Sequence, residues 1–356
     1  MRNMPRRILL LITDLEIGGT PTVVRELAIR LSREPWCEHV HVACLDKWGP
    51  VADQLRGRSI AVTSLGACCR FDIHVIVRLI RLIRRELINT VLSFLIHANM
   101  AASLASIVRR RVRYLQSIQT TQPHPRWHWK LQRRVHCAAE RIVVPSPSVA
   151  AAAQQWAGIP AGKIDVISNA VESGEFKLPR DRSSGKRVGF IGRLDPIKRV
   201  ENLVSAVSML GADVYLDIFG DGPCRTDIQR TIDQSNLGER IKLHGAVPGA
   251  AQALAGMDVL VLPSDAEGFG LVLIEAMAAG VPVIGTNVPG IRDVINDGVN
   301  GLLTPPRDPV KLAAAIERVL SEDELTAKLI AGGAAAVAEK YSWQVVLPQY
   351  INLLRQ

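Results

Sequence analysis

Short apolar runs alternate along the chain with longer segments whose apolar residues recur at helical spacing. In the first half the predicted strands are 6–13, 39–45, 90–95, 112–118 and 141–146, and the predicted helices are 22–34 and 74–87. In the second half the predicted strands are 187–192, 214–220, 241–245, 258–264, 281–286 and 301–305. Such alternation is typical of βαβ units, so the pattern predicts an α/β protein with parallel sheets covered by helices.

The pattern restarts after a loop rich in charge and glycine, residues 172–186. A length of 356 residues suits two domains of ordinary size. We predict two doubly wound, Rossmann-like domains, 1–171 and 172–341, and an amphipathic helix at 342–356 that packs back on the first. Ligands of open α/β sheets bind beyond the carboxyl ends of the strands, so we expect the functional residues in turns that open onto a cleft between the domains.

Charge is unevenly distributed between the two halves. The first 170 residues hold 24 Lys and Arg against 11 Asp and Glu, whereas the whole chain has a net charge of +9. This asymmetry favours an anionic partner for the first half, which leaves nucleic acid, anionic lipid and phosphorylated substrates open. The apolar run 8–12 is too short to span a membrane, and the six cysteines lack metal-ligand spacing, so we predict a cytoplasmic protein with reduced thiols.

Two glycine-rich or basic turns are candidate phosphate sites. Gly18 and Gly19 follow the first predicted strand, with Thr20 or Thr22 as a candidate helix cap. Glycines allow close backbone approach, and a helix N-terminus offers unpaired N–H groups to phosphate oxygens. Arg193 and Lys198 follow the strand 187–192, where two cations could bind a diphosphate. For either residue taken alone, a solvated loop residue is the preferred interpretation.

A third turn, the stretch SDAEGFGLVLIEAM at 264–277, follows the strand 258–264. It places Glu267 just beyond the carboxyl end of that strand. The backbone of Gly268, Phe269 and Gly270 could face a ligand. A helix predicted from Leu271 to Ala279 carries a second acid among apolar neighbours, Glu275, which is suited to accept hydrogen bonds from a ribose diol.

In their order along the chain, these motifs resemble the retaining glycosyltransferases of family 4, which have the two-domain GT-B fold with a central cleft. The resemblance rests on GFIGRLDPIKRVENLVSA at 189–206 and on the segment 263–303, which reproduces the E-x7-E signature. The segments 163–176 and 91–105 also resemble family segments. In place of the usual Asn-Gly-Val, this chain has Asn169-Ala170-Val171, and Pro21 stiffens the loop after its double glycine.

The resemblance implies a role for each matching residue. Arg193 and Lys198 would bind the donor diphosphate, and Glu267 would lie against the donor sugar. Gly268, Phe269, Gly270 and Leu271 would supply backbone contacts, while Glu275 would hold the ribose. Gly18 and Gly19 would close over the diphosphate, and His97 is the candidate for the family's cleft histidine, although a structural role for it is as well supported by the residues alone.

The implied reaction transfers a hexose from a nucleotide diphosphate sugar to an acceptor hydroxyl, with retained anomeric configuration. The acceptor would be a glycan or a lipid-linked precursor. No D-x-D motif is present, so we expect no metal and no other cofactor, with fixed cations stabilising the leaving group. The alternatives are a GT-B nucleotide-sugar epimerase and a non-catalytic nucleotide-sugar binder; no nucleic-acid-binding module is recognisable, so nucleic acid is not expected.

The basic residues of the first half lie among apolar and aromatic ones. They are concentrated in 78–87, in 109–113 and in 126–134, where Trp127 and Trp129 are interleaved with cations. Tryptophan beside basic residues suits a membrane interface. One hypothesis is therefore peripheral binding at the inner membrane face; the other is that the arginines merely decorate helices that cover the sheet.

Overall fold

A computed structural model describes residues 6–46, 48–67, 72–176, 185–235, 237–247 and 249–356. The chain divides into two compact units. One comprises the residues up to Ser168 together with Leu347–Gln356, and the other is Asn169–Val346. Part of the predicted interdomain loop, residues 177–184, lies outside the described residues.

The first unit is built on a seven-stranded parallel sheet. Its strands are β1 (Arg6–Ile12), β2 (Cys37–Cys44), β3 (Ala61–Ser64), β4 (Thr90–Phe94), β5 (Arg113–Ser117), β6 (Arg141–Val144) and β7 (Ile164–Val166). Its helices are α1 (Gly19–Leu31), α2 (Pro50–Gly57), α3 (His74–Arg85), α4 (Ile96–Val108), α5 (Arg126–Val135) and α6 (Pro147–Ala157). The spatial order is β3-β2-β1-β4-β5-β6-β7. Residues Ile8–Ile12 are fully buried, so the apolar run is a central strand, as predicted.

The second unit is built on a six-stranded parallel sheet. Its strands are β8 (Lys186–Ile191), β9 (Val214–Phe219), β10 (Ile241–Gly245), β11 (Val259–Leu262), β12 (Val283–Thr286) and β13 (Leu302–Thr304). Its helices are α7 (Val200–Ser208), α8 (Arg225–Gln234), α9 (Ala250–Ala255), α10 (Leu271–Ala278), α11 (Pro309–Ser321) and α12 (Asp323–Ala336). The order β10-β9-β8-β11-β12-β13 confirms the predicted doubly wound, parallel architecture.

The last helix, α13 (Trp343–Arg355), begins in the second unit and joins the first from Leu347 onward. Tyr350 is 1% exposed within the first unit. Two arginines of the sheet bind carbonyls in the last turn of α13: Arg113 donates to Leu353 O at 2.7 Å and Arg6 to Arg355 O at 2.8 Å. These cations satisfy carbonyls that a helix C-terminus leaves without intrahelical partners.

None of the helices in the described part of the chain has the length and apolar character that crossing a bilayer requires.

A buried network of polar side chains joins β4, α4, β5 and α5 in the first unit. Ser93 donates to Asn99 Oδ1 at 2.8 Å, and Asn99 Nδ2 donates to Gln132 Oε1 at 3.2 Å. Gln132 Nε2 donates in turn to Gln116 Oε1 at 2.9 Å. All four residues are buried, so each hydrogen bond replaces one that water would otherwise make. The network therefore fixes how α4 and α5 lie on the sheet.

Replacing Gln132 with Leu should destabilise the first unit by about 1–3 kcal/mol, because Asn99 and Gln116 would each lose a partner while remaining buried. The measurement is urea unfolding of the full chain. Gln155→Leu, the same substitution at an exposed position of α6, is the control and should change the midpoint little. Equal midpoints for the two variants would contradict a structural role for the network.

Candidate functional site

In each sheet, the chain adds strands first toward one edge and then, after a crossover, toward the other edge. The predicted site residues follow the two neighbouring strands at which this direction reverses. In the second unit these strands are β8 and β11, which pair directly: Val259 lies opposite Val188 and Leu260 opposite Gly189. Loops that leave two such strands run in opposite directions and open a crevice between them. Arg193 and Lys198 follow β8, and Glu267 follows β11.

The loop after β8 ends in one turn of 3-10 helix, Pro196–Lys198. The next residue, Arg199, caps α7 with a left-handed backbone, φ 50° and ψ 41°. This conformation costs a residue with a side chain roughly 1–2 kcal/mol. Neighbouring contacts must offset that cost. The turn it produces places Lys198 directly before the N-terminus of α7.

Asp265 holds the loop after β8 against the loop after β11. Its amide donates to Ile197 O at 2.8 Å, and its carboxylate accepts from Arg199 Nε at 2.6 Å and from an Arg307 guanidinium nitrogen at 2.8 Å. Burial alone would raise the pKa of Asp265, but hydrogen bonds from Arg307 and Arg199 and their charges outweigh it and hold the pKa below its usual range. The ionised carboxylate thus offsets the strain at Arg199.

Lys198 and Glu267 form an ion pair between the two loops, 69 residues apart in sequence. The Lys198 ammonium donates to Glu267 Oε1, which also accepts from Ser264 Oγ at 2.8 Å. Ser264 is fully buried, and its carbonyl accepts a hydrogen bond from the Thr286 hydroxyl at the end of β12. The carboxylate of Glu267 is therefore oriented from two sides, with both side chains of the pair only partly exposed.

Gly290 lets another segment approach the backbone of Glu267. Its φ is +87°, and a Cβ there would lie 2.2 Å from Glu267 O. Such a separation is far below van der Waals contact, so a side chain at 290 would displace the loop that carries Glu267.

The turn Gly268–Gly270 leads from Glu267 into α10. Phe269 is 4% exposed and packs edge-on against Tyr341, with ring centroids 5.6 Å apart. Its side chain therefore belongs to the core. Gly270 is the N-cap of α10 in a left-handed conformation, φ +79°, without a side-chain cap. The turn is thus anchored by Phe269, and the N–H groups of the first helical turn, starting at Leu271, have no capping side chain.

Glu275 lies in the second turn of α10 and is partly buried, while Ile274 and Ala276 on either side are buried in the core. The helix starts at Leu271, as predicted, and ends one residue earlier than predicted, at Ala278.

Arg193 is the most exposed of the predicted cations, with 70% of its side chain accessible. Its guanidinium makes two hydrogen bonds to the Asp195 carboxylate, at 2.6 and 3.0 Å. The loop after β9 fixes the backbone beside it. Leu194 N donates to Asp221 O at 2.9 Å, and a Cβ at Gly220 would lie 1.9 Å from Gly192 O. The backbone around Arg193 is therefore rigidly placed, whereas its side chain reaches into solvent.

In the first unit, the reversal lies between β1 and β4. Gly18 is the N-cap of α1, which begins at Gly19. The expectation that Thr20 or Thr22 caps the helix is wrong, because both lie inside its first turn. The Thr22 hydroxyl instead donates to Gly18 O at 2.9 Å. The helix therefore starts three residues before the predicted first residue, Thr22.

His97 lies in the first turn of α4, directly after β4. Two residues before His97, Leu95 has φ +72° and ψ 158°, which is a strained conformation for a residue with a side chain. The His97 ring lies edge-on to Trp127, with centroids 5.9 Å apart, and 6.2 Å from the His128 ring. His97 is thus part of an aromatic cluster with the start of α5.

The structure brings Lys198 and Glu267 into contact and places Glu275 on the helix that follows. Arg193 pairs with Asp195, and Gly18, Gly19 and His97 lie in the other unit. Sequence reasoning missed several positioning residues: Asp195, Ser264, Asp265, Gly290 and Arg307. Asp195 and Ser264 lie within three residues of the side chains that they bind, whereas Arg307 is 42 residues from its partner Asp265 and left no local signal.

The chain has two doubly wound parallel sheets, and in each sheet the candidate residues follow the two strands where the strand order reverses. This arrangement is that of the GT-B class of protein. A family model described as Glycosyltransferase Family 4 matches residues 17–175, and one described as Glycosyl transferases group 1 matches residues 185–322. The chain therefore belongs to family 4 of the glycosyltransferases.

This chain spans about half the length of the curated relatives that it matches. The phosphatidyl-myo-inositol mannosyltransferase of Mycobacterium leprae is 37% identical over 203 residues, which are 55% of this chain and 52% of the relative. The D-inositol 3-phosphate glycosyltransferase of Geodermatophilus obscurus is 31% identical over 248 residues, 63% of this chain and 54% of the relative. Both relatives are named as transferases. The comparison with them therefore does not favour the alternatives of a nucleotide-sugar epimerase or a non-catalytic nucleotide-sugar binder.

Solved structures share the fold over nearly the whole chain. The Anabaena protein HepE, in a complex with UDP and glucose, has a TM-score of 0.89 at 21% identity, covering 98% of this chain and 99% of that one. Sucrose-phosphate synthase from Thermosynechococcus elongatus has a TM-score of 0.82 at 21% identity, covering 99% of each chain. The predicted fold class is confirmed.

Replacing Gly290 with Ala should lower the urea midpoint of the second unit by the equivalent of about 1–3 kcal/mol, because the added Cβ meets the Glu267 carbonyl. Gly298→Ala is the matched control. Its φ of +68° is also left-handed, but a Cβ there meets nothing within 4 Å. If the two variants unfold alike, the close approach to Glu267 does not constrain the loop.

Proposed function

We propose that this chain is a retaining glycosyltransferase that moves a hexose from a nucleoside diphosphate sugar to an acceptor hydroxyl. The observation that carries the proposal is the Lys198–Glu267 ion pair at the winding reversal of the second sheet. Membership of family 4 supports it, and so does the fold shared with HepE, whose solved complexes contain UDP and UDP-glucose. We therefore propose a uridine diphosphate sugar as the first donor to test.

Charge is the main obstacle in this reaction. The bond between the anomeric carbon and the diphosphate breaks with its electron pair on the departing oxygen, and the sugar becomes oxocarbenium-like. A lysine ammonium has three N–H donors, and Glu267 takes one of them. Lys198 can then donate to the departing phosphate without leaving Glu267. Arg193, whose exposed side chain is tethered at Asp195, would add a second cation.

Glu267 would bind a hydroxyl of the sugar rather than attack it. Its Oε1 already accepts hydrogen bonds from Lys198 and Ser264, which reduces the nucleophilicity of the carboxylate. In the proposed front-face path, the acceptor oxygen forms a bond to the anomeric carbon, and the acceptor proton passes to the departing phosphate. A covalent sugar on Glu267 would contradict this path.

Glu275 and the turn before α10 would bind the rest of the donor. The first-turn N–H groups of α10, which lack a capping side chain, would face phosphate or sugar oxygens. Glu275 would accept hydrogen bonds from the ribose. In the first unit, Gly18 and Gly19 would approach the diphosphate, and His97 would contact the sugar or the acceptor. We propose that none of these steps requires a metal ion.

Lys198→Ala should lower kcat/KM by about 10²-fold or more with UDP-glucose, because a cation is removed from the developing charge. The measurement is release of UDP in the presence of candidate acceptors, and the variant should still unfold near the wild-type temperature. Lys311→Ala is the control, since the Lys311 side chain is 66% exposed and its ammonium is only loosely paired with Asp308, at 3.9 Å. A rate within a few fold of wild type for Lys198→Ala would contradict the role.

We also propose that the first unit binds an anionic membrane surface, where a lipid-linked acceptor would be available. On α3 and the residue before it, Ile73, Val77, Arg81 and Arg84 are exposed at spacings of four, four and three. They therefore form one stripe along the helix. Its apolar end and its basic end suit the acyl boundary and the lipid headgroups, respectively.

The neighbouring helices carry further exposed apolar and basic side chains. Helices α4 and α5 pack side by side with α3 in the order α3, α4, α5. Leu104, Ile107 and Val108 on α4 and Trp127 on α5 are exposed. Arg110 and Arg111 are exposed immediately after α4. Several exposed apolar side chains on adjacent helices, beside basic ones, favour a membrane surface over arginines that merely decorate the helices.

The double substitution Arg81→Glu/Arg84→Glu should reduce partition onto anionic phosphatidylglycerol vesicles at low salt by more than about tenfold, since each basic residue near the surface contributes about 1 kcal/mol. Flotation of the full chain measures this. Arg33→Glu/Arg58→Glu makes the same charge change at exposed positions outside the stripe and is the control. The membrane proposal is wrong if the wild-type chain does not float with the vesicles. It is also wrong if the two double substitutions reduce vesicle binding equally.

A further inference from the structure

Three potential metal ligands lie together in the first unit, away from the residues that follow β1 and β4. They are His39 and His41 on β2 and Glu86, the residue after α3. One donor atom from each lies within 4.8 Å of the other two, and His39 Nε2 is 3.7 Å from Glu86 Oε2. Neither the sequence pattern nor the proposed transfer reaction accounts for this cluster.

The fold builds the cluster from strand alternation and the end of a helix. His39, His41 and Ala43 alternate along β2 and therefore lie on the same face of the sheet. Ala43 packs in one core cluster with Leu82 and Ile83 of α3. Side chains two apart on a strand share a face, so α3 covers the face that carries both imidazoles. The chain leaves α3 over the N-terminal half of β2, which brings Glu86 beside them.

Both histidines have a ring nitrogen without a hydrogen-bond partner in the described part of the chain. His41 is 4% exposed, and its Nδ1 is buried and unpartnered. Its Nε2 lies 2.8 Å from the Thr63 hydroxyl. When Nε2–H donates to Thr63, Nδ1 carries the lone pair that a metal needs, and the ring orientation is fixed. His39 Nε2 is also buried without a hydrogen bond.

The protonation states suit metal binding. Burial lowers the pKa of His41 to about 4, and burial together with Arg7 lowers the pKa of His39, so both rings are neutral at pH 7. A hydrogen bond from Arg85 lowers the pKa of Glu86, which is therefore ionised. Neutral imidazole and carboxylate are the ligating forms.

The neighbouring arginines are already paired with acids. Arg85 Nε donates to Glu86 Oε1 at 2.8 Å, on the oxygen other than the one that lies nearest His39. Arg7 donates to Glu38 Oε1 at 2.6 Å and, through Nε, to the backbone carbonyl of Glu86 at 2.8 Å. These bonds hold Glu86 in place and offset much of the repulsion that a cation would meet.

We propose that His39, His41 and Glu86 bind one Zn²⁺ ion, with a water molecule as the fourth ligand, and that the ion fastens the end of α3 to β2. Two imidazoles and a carboxylate are ligands that zinc favours. Zinc–ligand bonds of about 2.0–2.2 Å place tetrahedral ligands about 3.4 Å apart, so the ligand atoms, which lie within 4.8 Å of one another, must approach by up to about 1.4 Å. His39 and Glu86 are about a quarter exposed, which provides a path of entry. The ion is structural and takes no part in sugar transfer.

The test measures Zn²⁺ binding to the full chain, stripped with chelator, by competition with a chromophoric chelator. We expect one zinc ion per chain, at least tenfold weaker binding in His39→Gln and in Glu86→Gln, and a rise in unfolding temperature with Zn²⁺ that both variants lose. Co²⁺ should give the visible absorption of a tetrahedral site in the wild-type chain and not in either variant. Both variants should unfold like the wild type in the presence of chelator.

His74→Gln is the matched control. His74 begins the same helix, its side chain is 81% exposed, and it lies 3.3 Å from Asp72 in a second histidine–carboxylate pair. It should bind zinc as the wild type does. The proposal is overturned if the wild type binds no zinc saturably or if His39→Gln and Glu86→Gln bind it unchanged. It is also overturned if binding is lost instead in Cys137→Ser, which removes a thiol 4.0 Å from the His136 ring.

Discussion

The direct pairing of β8 with β11 is the constraint on which the candidate site depends. These parallel strands are neighbours in space but are followed by loops that leave in opposite directions, so the crevice between the loops has no helix to fill it. Lys198 and Glu267 meet there across 69 residues of sequence. Asp265, in the loop after β11, then binds Arg199 at the end of the loop after β8 and Arg307 after β13, which makes the polar site rigid.

The sequence was sufficient for the architecture and for locating the turns that follow the central strands. Buried parallel strands are continuous apolar runs, and ligand-binding turns follow their carboxyl ends, so β1, β8 and β11 were recognisable without a structure. The short edge strands β3 and β7 were not, because Ala61–Ser64 and Ile164–Val166 are only partly buried and carry too few residues for a period to show.

The positioning of the site could not be predicted for a different reason. The ion pair of Asp265 with Arg307, the hydrogen bond from Thr286 to Ser264 and the approach of Gly290 to Glu267 all join residues more than 20 positions apart. Local propensity holds no information on such pairs, since they exist only once the sheet has formed. The same holds for Glu86 and the two histidines of β2, whose proximity depends on where α3 ends.

Helix α13 begins in the second unit and contributes its last two turns to the first unit, where Tyr350 is buried. Arg6 and Arg113 of the first unit bind the last backbone carbonyls of the helix. During synthesis, the niche for Tyr350 therefore stays empty until the second unit has been translated. The first unit acquires its final layer last, although its seven strands are translated before any strand of the second. Completion of the first unit thus waits for a segment that follows the second unit in the chain.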